Sequence, residues 1–138
     1  MNRKHELRVS LVLALALSGG CASTQSLSVH TDPGGAEVFL QRRGEVEVQA
    51  TVAGVHGQVG ADSFEEEYFS LGTSPVEYEF HRKETEAAVQ GPGAGGSVTR
   101  HFREGTIRVE LEGYRTVERR VRFSGDAIVL RIALEQAP

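Results

Sequence analysis

From Leu27 onward this 138-residue chain alternates apolar and polar side chains in segment after segment, and that period of two limits its fold more than any other feature. Leu27 and Val29 alternate with Ser28 and His30. Ala36, Val38 and Leu40 alternate with Glu37, Phe39 and Gln41. After Arg42-Arg43-Gly44 the pattern resumes with Val46, Val48, Ala50 and Val52. It returns at Val76-Tyr78-Phe80, at Ile107-Val109-Leu111, at Val117-Val121-Phe123 and at Ile128-Leu130-Ile132-Leu134. Dense turn signals such as Thr31-Asp32-Pro33-Gly34-Gly35 stand between these runs. No stretch beyond the first 20 residues carries a long helical period. The expectation is an all-β fold, a small antiparallel β-sandwich with one buried face per sheet.

The first 20 residues read differently. Arg3, Lys4 and Arg8 precede an apolar run from Val9 to Leu17, and Ser18-Gly19-Gly20 then lead to Cys21, the only cysteine of the chain. The apolar run is shorter than the roughly 20 residues that a spanning helix requires. Leu17-Ser18-Gly19-Gly20-Cys21 resembles the lipobox of bacterial lipoproteins, with Ser18 where a leucine usually stands. The resemblance implies a signal helix over residues 1–20, cleavage between Gly20 and Cys21, and acylation of Cys21. Residues 21–26 would then be a lipidated tether and 27–138 the domain. Two or more acyl chains hold a protein stably on a bilayer, whereas one holds it marginally. Ala22 and Ser23 lack the acidic retention signal known in enterobacteria, which by analogy favours the outer membrane, on its periplasmic or surface face.

Removing this leader takes away three bases and one acid, leaving 12 Lys+Arg against 18 Asp+Glu, a net charge of −6. An acidic domain lacks the positive footprint that binds a polyphosphate, so no nucleic-acid partner is expected. A single cysteine permits no internal disulfide. Sixteen glycines and no tryptophan point to a loop-rich fold with a modest core.

Leu27 to Leu40, with Pro33-Gly34-Gly35-Ala36 at its centre, resembles the opening of a PEGA domain, a family named for its Pro-Glu-Gly-Ala turn. Gly72-Thr73-Ser74-Pro75 looks like that family's entry to its third strand, and Glu104 to Tyr114, ending in Gly113-Tyr114, like its later hairpin. The resemblance covers roughly half of the mature chain. It implies a transthyretin-like sandwich in a bacterial envelope protein, acting as a binding or assembly module with no catalytic residues to carry over. The residues suit such roles physically. Proline presets φ for a turn, paired glycines take positive φ freely, and Tyr114 can bury its ring while its hydroxyl stays wet.

Two insertions interrupt the resemblance, at about residues 41–71 and 81–104. The first contains Asp62-Ser63-Phe64-Glu65-Glu66-Glu67-Tyr68-Phe69, aromatic and acidic at once. Ser63 with Glu66 has the spacing of a capping box, which would open one helical turn and put Phe64 and Tyr68 on a common face. Two accounts stand. Phe64, Tyr68 and Phe69 lid the core while the glutamates are solvated, or they form a partner-binding ridge with an acidic rim. The second insertion centres on Gly91-Pro92-Gly93-Ala94-Gly95-Gly96 and is read as a long hairpin or a disordered loop, either a binding loop or a neutral insertion.

No catalytic signature is present. His30, His56, His81 and His101 have no zinc spacing, and His81 with His101 are solvated edge residues or, less simply, a two-histidine surface site. Glu65-Glu66-Glu67 lacks the calcium-loop pattern. Neither a nucleophile elbow nor a phosphate-binding loop occurs. Arg115, Arg119, Arg120 and Arg122, with Glu112 and Glu118, read as the wet face of a hairpin, or as a stripe for lipid phosphate or an acidic polymer. The functional expectation is therefore a membrane-anchored, non-enzymatic envelope module without metal or cofactor, whose partners are membrane lipid through Cys21 and an envelope protein. The alternatives are a carbohydrate-binding module that stacks peptidoglycan or surface glycan on Phe39, Tyr68 or Phe69, and an accessory lipoprotein that docks to a larger envelope assembly through residues 41–71.

Overall fold

The computed structural model describes residues 24–91 and 94–138. Nine strands follow one another: β1 Thr24–Asp32, β2 Glu37–Val52, β3 Val55–Glu65, β4 Phe69–Thr73, β5 Val76–His81, β6 Lys83–Gly91, β7 Ala94–Glu110, β8 Val117–Arg122 and β9 Ile128–Ala133. The chain is all-β, and no described residue is helical. Three strands form one sheet in the order β5-β1-β9. The second sheet is built on β2 and β7, which pair along nearly their whole lengths, from Glu37 with Glu110 to Val52 with Ala94.

Those two strands are long enough to serve two regions. At their base, β4 pairs with β2 over Glu37–Leu40 and β8 pairs with β7 over Glu104–Val109. Beyond Arg43, β3 replaces β4 as the neighbour of β2, and β6 replaces β8 as the neighbour of β7. The base stacks on the three-stranded sheet, and its inward side chains form the core. Leu27 and Val29 of β1, Val38 and Leu40 of β2, Ile107 and Val109 of β7, with Phe80, Phe102, Phe123 and Ile132, are buried. Each such side chain contributes about 1.5–3 kcal/mol on leaving water. The distal part, here called the arm, continues the second sheet past the end of the first.

A one-residue bulge marks the join. Arg43 pairs with Glu104, but Gly44 pairs with Phe102, so Arg103 has no partner on β2. A Cβ on Gly44 would lie 1.7 Å from the His101 carbonyl oxygen, so only glycine fits this close crossing.

The chain passes between the sheets four times, twice at adjacent corners. Pro33-Gly34-Gly35-Ala36 carries it from β1 to β2, and Ser74-Pro75 carries it from β4 to β5. Gly35 takes φ 84° and donates its N–H to the Ser74 carbonyl at 3.0 Å. The Ser74 N–H donates to the Ala36 carbonyl (2.7 Å), and the Ala36 N–H donates to Ser74 Oγ (3.1 Å). Ser74 Oγ also meets Thr31 Oγ1. The Gly34-Gly35-Ala36 and Gly72-Thr73-Pro75 elements are thus halves of one stitched corner. Gly113, at φ 84°, and Tyr114 make a second fastening, where the C-terminal segment is held by Arg115 N–H to Glu135 O (2.8 Å) and Ala137 N–H to Gly113 O (2.9 Å).

Four expectations are corrected. β1 begins at Thr24, so Thr24–Ser26 belong to the sheet rather than to a tether, and Gln25 is fully buried with its amide bonded to Gly125 and Asp126. β1 and β9 run parallel, because the chain returns from β8 across the sandwich before entering the first sheet. β2 is unbroken through Arg42-Arg43-Gly44. The helical turn at Ser63 is absent: Ser63 lies in β3 opposite Glu45, since the free edge of β2 offers a continuous ladder that one capped turn cannot match. The read of residues 81–104 as a long hairpin corresponds to β6 and β7. Gly20, Cys21 and the signal helix lie outside the described residues.

Candidate functional site

Phe64, Tyr68 and Phe69 do not share a face. β3 pairs Phe64 with Gly44 on the inner side, where its ring meets Phe102 edge-on at 5.5 Å. The chain leaves β3 after Glu65 and turns over the end of the sandwich before re-entering as β4. That path directs Phe69 inward, edge-on to Tyr78 at 5.8 Å, and Tyr68 outward to Arg108.

The inward rings surround a charge. Alternation along β2 places Arg42 on the same side as Val38 and Leu40, at the end of the core. Its guanidinium carbon lies 4.0 Å from the Phe102 ring centre, 5.1 Å from Phe80 and 5.2 Å from Phe69. Glu66 closes the arrangement with a two-pronged contact, Arg42 Nε to Oε2 at 2.8 Å and Nη2 to Oε1 at 2.9 Å. The Glu66 N–H also donates to the Arg42 carbonyl (3.0 Å), so backbone and side chain fix the pair together. With 11% and 19% of their side chains exposed, this pair is a plug between the core and the arm. A flat guanidinium suits both the carboxylate fork and the ring faces, which an ammonium would not.

The outward face of the base carries a second cluster. Arg108 sits 4.2 Å from the Tyr68 ring centre and 5.1 Å from that of Phe39, with Nε 3.1 Å from Glu110. Arg43 donates to Thr106 Oγ1 at 2.9 Å, and Gln41 Nε2 donates to Glu65 Oε1 at 2.9 Å. A shallow polar groove lined by Arg43, Glu65, Tyr68, Thr106, Glu118 and Arg120 runs beside them. The β8 arginines are exposed there, and Arg119 donates to the Glu118 carbonyl at 3.2 Å. Tyrosine and arginine over a polar groove are the side chains that protein interfaces favour.

The histidines are dispersed. His30 Nε2 bonds Ser28 Oγ at 3.0 Å on the outer side of the first sheet, and His81 is exposed opposite Thr24. His101 lies opposite Lys83 and Glu45 on β7, with Nε2 3.4 Å from Glu47 Oε2. Among the described residues no group of three or more His, Cys, Asp or Glu is placed to hold a metal ion. No helix of the described residues is long and apolar enough to cross a membrane.

Sequence reasoning missed the part played by Arg42 and Glu66 as a pair and by the Ser74 hydroxyl at the corner. The signal for Arg42 was present, since it occupies an apolar-phase position of a strand otherwise reading Val38, Leu40, Val46, Val48. Comparison with protein-family models gives no match, and comparison with curated proteins gives none either.

Proposed function

We propose that this chain is a lipid-anchored envelope lipoprotein whose PEGA-like β-domain is a non-catalytic protein-interaction module, held at the outer membrane through acylated Cys21. The observation that carries the reading is the spacing between signal and fold: β1 starts at Thr24, three residues after Cys21. An acylated Cys21 would lie within about 11 Å of the sheet, because a residue spans at most about 3.6 Å. Such a domain is held against the membrane rather than on a stalk. The face offered to an envelope partner is the outer side of the base, with Tyr68, Arg108 and the adjoining polar groove.

The glycan-binding alternative needs open aromatic faces. Phe69 is turned inward against Arg42, and the Arg108 guanidinium lies over Phe39 and Tyr68, where a sugar ring would stack. That arrangement favours a protein partner.

Fractionation tests the anchor. The Cys21→Ser variant is expected in the soluble fraction without palmitate label, and a variant that still pellets with membranes and takes up label defeats the lipoprotein reading. A photo-crosslinking residue at Tyr68 tests the module, with a discrete adduct in membranes expected. Retention of the chain on purified peptidoglycan, with no adduct, would transfer the function to the glycan alternative.

A further inference from the structure

The arm differs from the rest of the molecule in charge. Gln49 to Ala61 contains no Asp, Glu, Lys or Arg, and neither does Ala87 to Thr99, in a chain in which 25% of residues are charged. The register brings both segments together, since Gln49 pairs with Gln58 and Ser97, and Ser97 pairs with Ala87. The distal arm, from Gln49 to Val52 on β2 and its partners, is therefore a four-stranded sheet without formal charge, about 13 Å long and 15 Å wide at ordinary strand rise and spacing.

Its two faces are unlike. Alternation along β2 places Val46, Val48, Ala50 and Val52 on the inner side, in phase with Val38 and Leu40 of the core, and Val98 joins them from β7 opposite Val48. Gln49, Ser97 and Thr99 lie on the outer side. No strand of the three-stranded sheet covers the valine side. At its end Val52 is 62% and Val55 72% exposed, two of the three exposed large hydrophobic residues among those described. The turn between them is Ala53-Gly54, with Ala53 at φ 51°. A two-residue hairpin turn of this kind ordinarily uses Asn or Asp at that position, so here a polar, cheaper residue is replaced by an apolar one.

The chain end identifies what covers this face. Thr24 pairs with His81, and two residues after His81 comes Lys83 at the root of β6. β1 thus begins at the end of its sheet nearest the arm, on the arm's valine side. Resting on the lipoprotein reading, we propose that the distal end of the arm's inner face, Ala50, Val52 and Val55 with Val48 behind them, dips into the bilayer that holds the Cys21 acyl chains, the molecule tilting about the edge of the three-stranded sheet. The arm and the lipids act as two footholds and set the orientation of the domain, with the outer face of the base turned away from the membrane.

Physical limits define lying on the bilayer rather than spanning it. A spanning strand needs about 9–11 residues, whereas charges return on the same face at Glu86, opposite Val98, and one pair further on at Asp62, Glu84 and Arg100. The edges β3 and β6 leave backbone groups unpaired, which hydrocarbon forbids and hydrated headgroups satisfy. A contiguous apolar face rimmed by charges is what an interfacial element presents.

The chain contains no tryptophan, so a single introduced one reports cleanly. Val55→Trp tests the arm, and Arg120→Trp, exposed on β8 opposite Thr106 on the outer face of the base, is the control. Both are made in the full-length chain, isolated from membranes and reconstituted in phosphatidylethanolamine–phosphatidylglycerol vesicles. Blue-shifted emission of Val55→Trp that is lost with brominated lipids, with Arg120→Trp unchanged, is the expected result. Val55→Trp emission quenched by aqueous iodide to the same degree with and without vesicles overturns the inference. So does a blue shift insensitive to brominated lipid and accompanied by cross-linked dimers, which would assign the valine face to a second copy. Mass spectrometry of the N-terminal peptide separates the two levels. An acylated Cys21 with residue 55 in water defeats only the arm contact, whereas an unmodified Cys21 defeats both.

Discussion

The base and the arm are built from the same two strands, yet they solve different problems. In the base, β2 and β7 lie between β4 and β8 and beneath a second sheet. Their inner side chains are fully buried, and their outer ones form ion pairs such as Arg108 with Glu110. In the arm the same strands continue the same alternation between β3 and β6, but no strand among the described residues covers the apolar side, and the distal charges vanish. Alternation therefore reports which face a residue takes and is silent about whether that face is covered. Covering depends on where the other sheet ends, and that sheet ends at Thr24 and His81.

The sharpest way to break this contrast is at the join. Gly44→Ala drives a Cβ into the His101 backbone, and a loss of about 3 kcal/mol or more is expected in urea denaturation. Hydrogen exchange on the same variant is expected to show lost protection in residues 45–52 and 55–62 before the strands of the three-stranded sheet. Equal loss in both regions would mean that arm and base are one cooperative unit. Arg42→Ala removes the plug and leaves Glu66, 19% exposed, with only Arg100 at 4.0 Å as an ion-pair partner among the described residues. Buried pairs cost about 3–5 kcal/mol when one partner is lost, and the residual exposure of this pair lowers the expectation to about 2 kcal/mol. A double-mutant cycle with Glu66→Gln measures it, and a coupling near zero would reduce the plug to packing.

A matched pair in one strand makes the comparison quantitative. Val38→Ala deletes fully buried carbons and is expected to cost about 2 kcal/mol, whereas Val48→Ala in the uncovered arm is expected to cost about 0.5 kcal/mol. Similar values in solution would indicate that the arm is covered there. The smallest effect is a gain. Ala53→Asn relieves a left-handed alanine and is expected to add about 0.5 kcal/mol of stability, seen as a small rise in Tm.

Much of the fold was legible because strands advertise themselves through alternation and turns through proline and glycine. Every strand the pattern located is present, and the turn residues at 33–36, 72–75 and 113–114 sit at chain reversals or crossings. The failures share one physical cause: they depend on what the segment pairs with. Arg42-Arg43-Gly44 resembles a break between strands, and only the partner strand, with its bulge at Arg103, makes it continuous. Ser63 to Glu66 carries a capping pattern that is overridden by the open edge of β2. Parallel pairing of β1 with β9 cannot be read from either strand alone. The aromatic segment stands out in the sequence, but its split between two faces follows from where the chain leaves β3.

The position of β1 has a mechanical consequence. It is the central strand of its sheet, flanked on both sides by register pairs that run along its length, antiparallel to β5 and parallel to β9. A pull on the chain ahead of Thr24 acts along the axis of this strand. It loads both ladders in shear, so that many backbone hydrogen bonds must yield together instead of opening one after another. Resistance of that kind is set by the rate of unfolding rather than by equilibrium stability. A domain tugged from its first residue is thereby strongest in the direction from which the load arrives.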